Sequence, residues 1–260
     1  MILDELADYA AQRVKADKAL ISLESIKAQA LSLPKGSLRF ENALKNRKGA
    51  AICEVKKASP SKGIISEDFP YLDTAREYER AGADCISCLT EPKWFLGSDE
   101  IFMQIRNAVS LPMIRKDFTV DEYQIYQAKV MGADAVLLIC AILDEGKLRD
   151  YLAICDTLGI TALVETHDKA EIETAVKIGA RVIGVNNRNL KDFSVNFDNA
   201  VSLREFIPDN VIYVAESGVS SPRDGAHLIN SGADAVLIGE ALMRTDNKAE
   251  FLRKLREECK

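Results

Sequence analysis

Two histidines are all that the chain offers in 260 residues, and its six cysteines include one close pair, Cys85 and Cys88. A structural zinc site wants four soft ligands, commonly as two such pairs. On a strand, positions three apart face opposite sides, so this pair cannot close on one ion. Most of the six, which also include Cys53, Cys140, Cys155 and Cys259, sit in apolar runs, as buried free thiols of a reducing compartment do. No metal is expected. A basic surplus is also missing: the net charge is −6, where a nucleic-acid footprint would be positive. An anionic small ligand stays open, provided its cations are local. The longest apolar run, Ala135 to Leu143, is too short to span a bilayer, and the charged N-terminus reads as helix rather than leader. The expectation is a cytoplasmic protein with neither nucleic-acid nor membrane partner. Finally, no Gly-x-Gly-x-x-Gly comes after the first apolar strand, which removes the main support for a dinucleotide fold.

What is present is ordinary globular composition, 47% hydrophobic and 28% charged, at a length that suits one large domain or two small ones. Residues 1–45 read as helical. Ile2, Leu3, Leu6, Tyr9, Ala10 and Val14 fall near helical spacing. A second helix, Leu23 to Leu31, stops at Pro34-Lys35-Gly36, and a third runs from Leu38 to Leu44. These are either packing helices or an extension that caps the fold built by the rest of the chain and helps to enclose a substrate.

From Ala50 one pattern repeats: apolar strand, loop, amphipathic helix, then Gly-Ala-Asp and another strand. The junctions at Gly82, Gly132, Gly179 (Gly-Ala-Arg) and Gly232 stand roughly fifty residues apart, about two βα units. Each glycine suits the left-handed end of a helix. Strands are expected at Ala51–Val55, Cys85–Leu89, Pro112–Arg115, Ala135–Ile139, Thr161–Val164, Val182–Val185, Val211–Ala215 and Ala235–Ile238. Helices fit near 72–81, 99–107, 121–130, 145–158, 168–178, 197–205, 222–230 and 247–258. Continuous apolar strands alternating with helices imply a parallel sheet covered on both faces. Eight such units fit a (β/α)8 TIM barrel with an N-terminal helical extension better than an open α/β sheet. The whole of 1–260 is then one domain, with the extension at 1–45 and the barrel at 50–260.

Such a barrel carries its site at the C-terminal ends of the strands. Glu54 and Lys56 project together from the first, and Ser59-Pro60-Ser61-Lys62-Gly63 comes next as a turn rich in hydroxyls and flexible backbone. The second leads into Thr90–Ser98, whose Trp94 and Phe95 could floor a pocket for a ring. Further ends carry Arg115-Lys116-Asp117-Phe118, Glu165, Asn186-Asn187-Arg188, Glu216-Ser217-Gly218 and Gly239-Glu240. Any one of these can be a solvated or paired strand end. Together they bring carboxylates, lysines and an asparagine to one mouth, where charges shift one another's pKa values. Lys116, placed among other cations and apolar groups, is expected to have its pKa lowered. His167 reads as a loop residue before the next helix and His227 as a helix residue, so neither is counted. Glycines at the last two strand ends suit a phosphate held by backbone N–H groups.

These motifs resemble the indole-3-glycerol-phosphate synthase family of tryptophan biosynthesis over essentially the whole chain. The resemblance rests on Glu54–Gly63 (EVKKASPSKG), Leu89–Ser98 (LTEPKWFLGS), Pro112–Phe118 (PMIRKDF), Ala162–His167 (ALVETH), Ile183–Leu190 (IGVNNRNL), Val214–Val219 (VAESGV) and Leu237–Arg244 (LIGEALMR). It implies ring closure, decarboxylation and dehydration of 1-(2-carboxyphenylamino)-1-deoxyribulose 5-phosphate, without metal or organic cofactor. The small-molecule sugar phosphate would be the only partner, and the enzyme a monomer or weak homo-oligomer without a fused second barrel. Lys116 then resembles the general acid, Glu165 the proton-handling group of the dehydration, and Lys56 the holder of the substrate carboxylate. Glu54, Asn186 and Glu216 would orient this polar network. Ser217, Gly218 and Gly239 would line the phosphate site and Ser59 add a contact, with Arg188 and Glu240 also at the substrate. Pro60, Phe95, Phe118 and Leu190 would bed the aromatic ring. Glu240 departs from relatives with serine there, so its side chain must turn away from a phosphate. Two other readings remain: phosphoribosylanthranilate isomerase, which would need a Cys and an Asp as base and acid, and a non-catalytic barrel subunit.

Overall fold

The computed structural model describes residues 2–189 and 194–260. In chain order, helices α1 (Ile2–Leu20), α2 (Leu23–Ser32) and α3 (Arg39–Lys45) precede strand β1 (Ala50–Val55) and a two-rung hairpin of β2 (Ala58–Ser59) and β3 (Gly63–Ile64). Then come α4 (Tyr71–Arg80), β4 (Cys85–Leu89), α5 (Asp99–Ala108), β5 (Met113–Lys116), α6 (Glu122–Val130), β6 (Ala135–Ile139), α7 (Glu145–Leu158) and β7 (Thr161–Thr166). The chain closes with α8 (Lys169–Lys177), β8 (Val182–Asn186), α9 (Asp198–Leu203), β9 (Ile212–Glu216), α10 (Pro222–Asn230), β10 (Ala235–Ile238), α11 (Glu240–Arg244) and α12 (Lys248–Glu257). The eight long strands pair in parallel in the order β1-β10-β9-β8-β7-β6-β5-β4, and β4 returns to β1. This is a closed (β/α)8 barrel.

Strand alternation builds two apolar layers. Ala50, Ile52, Cys85, Ile114, Leu163 and Val214 point into the barrel, while Ala51, Cys53, Ile86, Met113, Val164 and Ile183 face the helices. Cys85 and Cys88 thus fall in different layers. The repeated Gly-Ala-Asp has a physical reason at both ends. Gly82, Gly132 and Gly232 take left-handed φ values of 82°, 85° and 108° and stop their helices. The aspartates then accept strand-entry N–H groups: Asp84 from Ala51 at 2.8 Å, Asp134 from Met113 at 3.0 Å and Asp234 from Tyr213 at 2.8 Å.

The extension does not act as one cap. Leu6 and Ala10 of α1 enter the interior cluster together with Phe118, Ile139 and Leu237, at the C-terminal end of the strands. The third helix, α3, lies at the opposite end. Its Glu41 N–H donates to Thr161 Oγ1 at the start of β7, and Phe40 and Leu44 are fully buried against the strand entries. Between them α2 lies outside, against α6. The end of the barrel away from the site needs a filling, and a large aromatic on a short helix supplies it. The strands also run further than their apolar residues suggest. Lys116, Glu165, Asn186 and Glu216 are still in ladder register, opposite Leu89, Ile139 and, for the last two, each other.

Candidate active site

The uppermost inward positions of β1, β5, β7, β8 and β9 carry Glu54, Lys116, Glu165, Asn186 and Glu216. Lys116 Nζ lies 3.4 Å from Glu216 Oε2 and 3.6 Å from Glu165 Oε2. Lys56, two residues along the chain from Glu54, closes on Glu54 Oε1 at 2.5 Å. Two glycines make this crowding possible. A Cβ at Gly184 would stand 2.1 Å from Glu216 Oε1, and one at Gly239 would stand 2.5 Å from Glu54 Oε1 and 2.9 Å from Lys56 Nζ. Gly239 therefore serves the Glu54–Lys56 pair directly, a packing reason beyond any approach of its backbone to an anion.

The charges are unevenly held. Burial alone would push the Glu54 carboxyl up, but Lys56 and Lys116, with hydrogen bonds from Lys56 and Ser87, keep it below the ordinary carboxylate range. Burial likewise works against the Lys116 ammonium. Glu216, Glu165 and Glu54 outweigh it and raise the Lys116 pKa. This reverses the lowering expected from the sequence: the neighbours of Lys116 are carboxylates, because Lys56 is itself engaged by Glu54. Glu165 and Glu216 share a site and diverge. Burial opposes ionisation of Glu165, yet Lys116, His167 and hydrogen bonds from Asn186 and Glu216 hold its pKa down. Burial, together with repulsion from Glu165 and Glu54, pushes Glu216 up in spite of Lys116. The shared site thus drives the two carboxyls apart, Glu216 toward its protonated form and Glu165 toward its ionised one.

Above the polar layer opens a cavity of about 520 Å³. Glu54, Lys56, Lys116, Glu165, Asn186 and Glu216 form its floor, and Ser59, Pro60, Phe95, Phe118, Arg188, Ser217, Gly218, Gly239 and Glu240 its walls. Leu190 lies outside the described residues. Ile2 and Leu6 of α1 reach the same cavity. Phe95 is placed by Glu91, whose buried carboxylate accepts the N–H groups of Lys93, Trp94 and Phe95 at 2.8, 2.7 and 2.9 Å. Phe95 and Phe118 meet at 6.2 Å between centroids. Trp94 does not line the cavity; it packs edge-on against Tyr9 of α1 at 5.6 Å. Ser217 and Gly218 are both left-handed, with φ of 67° and 88°. Glu240, first residue of α11, is drawn sideways by Lys62 at 3.5 Å and Arg244 at 3.1 Å.

Arg13, Ser87 and His167 escape sequence reasoning. Asp117 accepts two bonds from Arg13 of α1, at 2.6 and 3.0 Å, and one from Thr90 at 2.6 Å, tying α1 to the strand that bears Lys116. Ser87 donates to Glu54 at 3.3 Å. His167 forms a bend just after β7, but its Nε2 sits 3.6 Å from Glu165 Oε1. The alternation rule applied two residues beyond Glu165 points to His167; no local pattern reveals Arg13.

A closed parallel barrel with acid and ammonium groups gathered at the strand C-termini defines a (β/α)8-barrel enzyme. The sequence is matched over residues 3–255 by the family model described as indole-3-glycerol phosphate synthase. The indole-3-glycerol phosphate synthase of Ruminiclostridium cellulolyticum is 50% identical over 257 residues, covering 98% of this chain and 99% of that protein. That of Endomicrobium trichonymphae is 48% identical over 260 residues, covering 99% and 100%. This chain belongs to the indole-3-glycerol phosphate synthase family. Among solved structures, thiamine phosphate pyrophosphorylase from Pyrococcus furiosus aligns with a TM-score of 0.61 at 16% identity, over 84% of this chain and 96% of that one, a likeness of fold alone.

Proposed function

We propose that this chain converts 1-(2-carboxyphenylamino)-1-deoxyribulose 5-phosphate to indole-3-glycerol phosphate, carbon dioxide and water. The observation that carries the reading is Lys116, held between Glu165 and Glu216 on the floor of a cavity that offers a second lysine beside it and an aromatic pair in its wall. In ring closure the aryl carbon beside the amine attacks the sugar ketone, and the ketone oxygen needs a proton as its charge develops. Lys116 carries one throughout the neutral range. Its raised pKa keeps it charged in the empty site but makes it a weaker donor than an ordinary lysine, so its contribution rests on being held at the ketone oxygen as charge develops there. Lys56 is the cation for the carboxylate that leaves as carbon dioxide, in exchange for its contact with Glu54. Glu165 manages protons in the dehydration, and Glu54, Asn186 and Glu216 hold the two lysines and the hydroxyls in place. Phe95, Phe118 and Pro60 bed the ring. Ser217, Gly218 and Gly239, with the start of α11, take the phosphate, and Ser59, Arg188 and Glu240 edge the same end.

The isomerase alternative meets an obstacle in Cys53. That thiol faces the helix layer rather than the cavity, and burial pushes its pKa up. We further infer a cytoplasmic enzyme, a monomer or weak homo-oligomer, which its six free cysteines suit. Among the described residues no helix is long and apolar enough to cross a membrane. The test is to offer the purified protein the carboxyphenylamino sugar phosphate and follow indole fluorescence together with carbon dioxide release. Indole glycerol phosphate should form stoichiometrically with the gas. Unchanged substrate, or an isomerised sugar without gas release, overturns the reading.

A further inference from the structure

We propose that His167 is a positioning residue for Glu165, a cation set behind the carboxylate and locked there by Glu171, which fixes how readily Glu165 takes up a proton. This rests on the reading of Glu165 as the proton-handling group. His167 lies outside the residues that line the cavity, so it acts through Glu165 and not on substrate.

The geometry is that of an oriented imidazole. Glu171, in the first turn of α8, accepts the His167 backbone N–H at 2.7 Å and meets its Nδ1 at 3.3 Å. One carboxylate thereby fixes both the main chain and the ring, and it sets Nδ1 as the N–H side. The ring's other nitrogen, Nε2, is buried without a hydrogen-bond partner among the described residues. It is turned to Glu165 Oε1 at 3.6 Å, too long for a hydrogen bond and well within coulombic reach. Asn199 of α9 donates to the His167 carbonyl at 3.2 Å and so steadies the bend from the other side.

The largest charge effects on the ring are acidic, from Glu165 on β7, Glu171 on α8 and Glu216 on β9, and the nearby Lys116 ammonium is taken up by Glu165 and Glu216. The Cys140 thiol at the end of β6 contacts the Glu171 carbonyl and adds no charge while protonated. Burial disfavours the imidazolium, but the bond to Glu171 and the two further carboxylates outweigh it and raise its pKa. A protonated His167 in turn lowers the pKa of Glu165. By linkage the dependence is mutual: neutralising either group shifts the other.

Two histidines in the chain make this directly readable, since the imidazole C2–H resonance lost in His167→Asn assigns the other to His227. In the intact protein His167 should titrate above the ordinary histidine value, and in Glu165→Gln its midpoint should fall by about one unit. In His167→Asn the limb of the kcat–pH profile owed to Glu165 should move up by about one unit with KM changed less than about twofold, because the lost cation had held that carboxyl ionised. Glu171→Gln, which keeps an acceptor for the backbone, should move the same limb by a smaller step. A His167 midpoint unaltered in Glu165→Gln, or an unmoved limb in both other variants, overturns the proposal. Failure of the underlying reading looks different: Glu165→Gln would then complete dehydration at the wild-type rate in a single turnover.

Discussion

Lys116 and Glu165 stand close enough to be read as one unit, yet the chemistry assigned to each separates in time. Proton transfer by a positioned side chain is worth about 10² to 10⁴ in rate. Lys116→Met should therefore cut kcat and kcat/KM together by at least about a hundredfold, leaving substrate unreacted in a rapid-quench experiment. Glu165→Gln keeps the shape and loses the exchangeable proton, so a ring-closed, decarboxylated species should accumulate instead. If both variants stall at substrate, the two roles are not separable. Glu216 supplies a second test through pH. Its folded pKa is raised to about 8 from a reference of 4.5, so its contribution favours the folded state below the reference value. That contribution is lost as pH rises through about 8. His167, also raised, acts in the same sense. Thermal melts of the ligand-free protein between about pH 5 and 9 should thus show a fall in Tm that Glu216→Gln flattens. An identical slope in the variant would place the proton elsewhere.

At the scale of elements, the barrel strands are readable because each is an apolar run bounded by polar residues. Cys85–Leu89, Ala135–Ile139 and Ala235–Ile238 agree with their observed limits to the residue. The same criterion cuts four others short at the point where function begins. Lys116, Glu165, Asn186 and Glu216 are polar and still belong to the ladder. Elements too short to carry a period escape: the hairpin β2–β3 and α11, whose five residues start directly after Gly239. The floor of the site is legible from alternation alone. The Arg13–Asp117 clamp is not, since 104 residues separate its partners and only the closed barrel unites them. Nor is the function of Gly184, which reads as an ordinary small residue in a strand. Gly184→Ala puts a methyl where Glu216 Oε1 now lies. Overpacking of this kind costs about 1–3 kcal/mol, and here it must also displace Glu216 from Lys116. Activity should fall further than a melt of the same variant would explain; wild-type kcat would mean that Glu216 can move without consequence.

For the whole molecule, the two ends of the extension carry different loads, and one deletion cannot test both. The first helix, α1, meets the cavity through Ile2 and Leu6 and the site through Arg13. The third, α3, plugs the far end with Phe40 and Leu44, both buried in the barrel's interior cluster, and its Glu41 binds Lys45 at 2.6 Å and Arg181 at 2.8 Å. A protein lacking residues 2–20 should keep the barrel's circular dichroism and lose substrate. KM should rise by about tenfold or more, equivalent to about 1.4 kcal/mol of binding, while kcat changes less. Phe40→Ala should do the reverse. Emptying a buried aromatic site costs about 3–5 kcal/mol. Phe40 packs at the strand entries, the end of the barrel away from the charges that bind substrate. KM should therefore stay near wild type at temperatures where the variant is folded. We take extension and barrel to be one folding unit. The reason is that side chains from α1 and α3 belong to the same interior cluster as the strands. Urea unfolding with Trp94 fluorescence reports the α1 contact, and far-UV circular dichroism reports the barrel. The two should give coincident midpoints. In Phe40→Ala both midpoints should fall together. A Trp94 transition that precedes the loss of helix and strand would show α1 to be a separately released flap, and the single-unit description would fail.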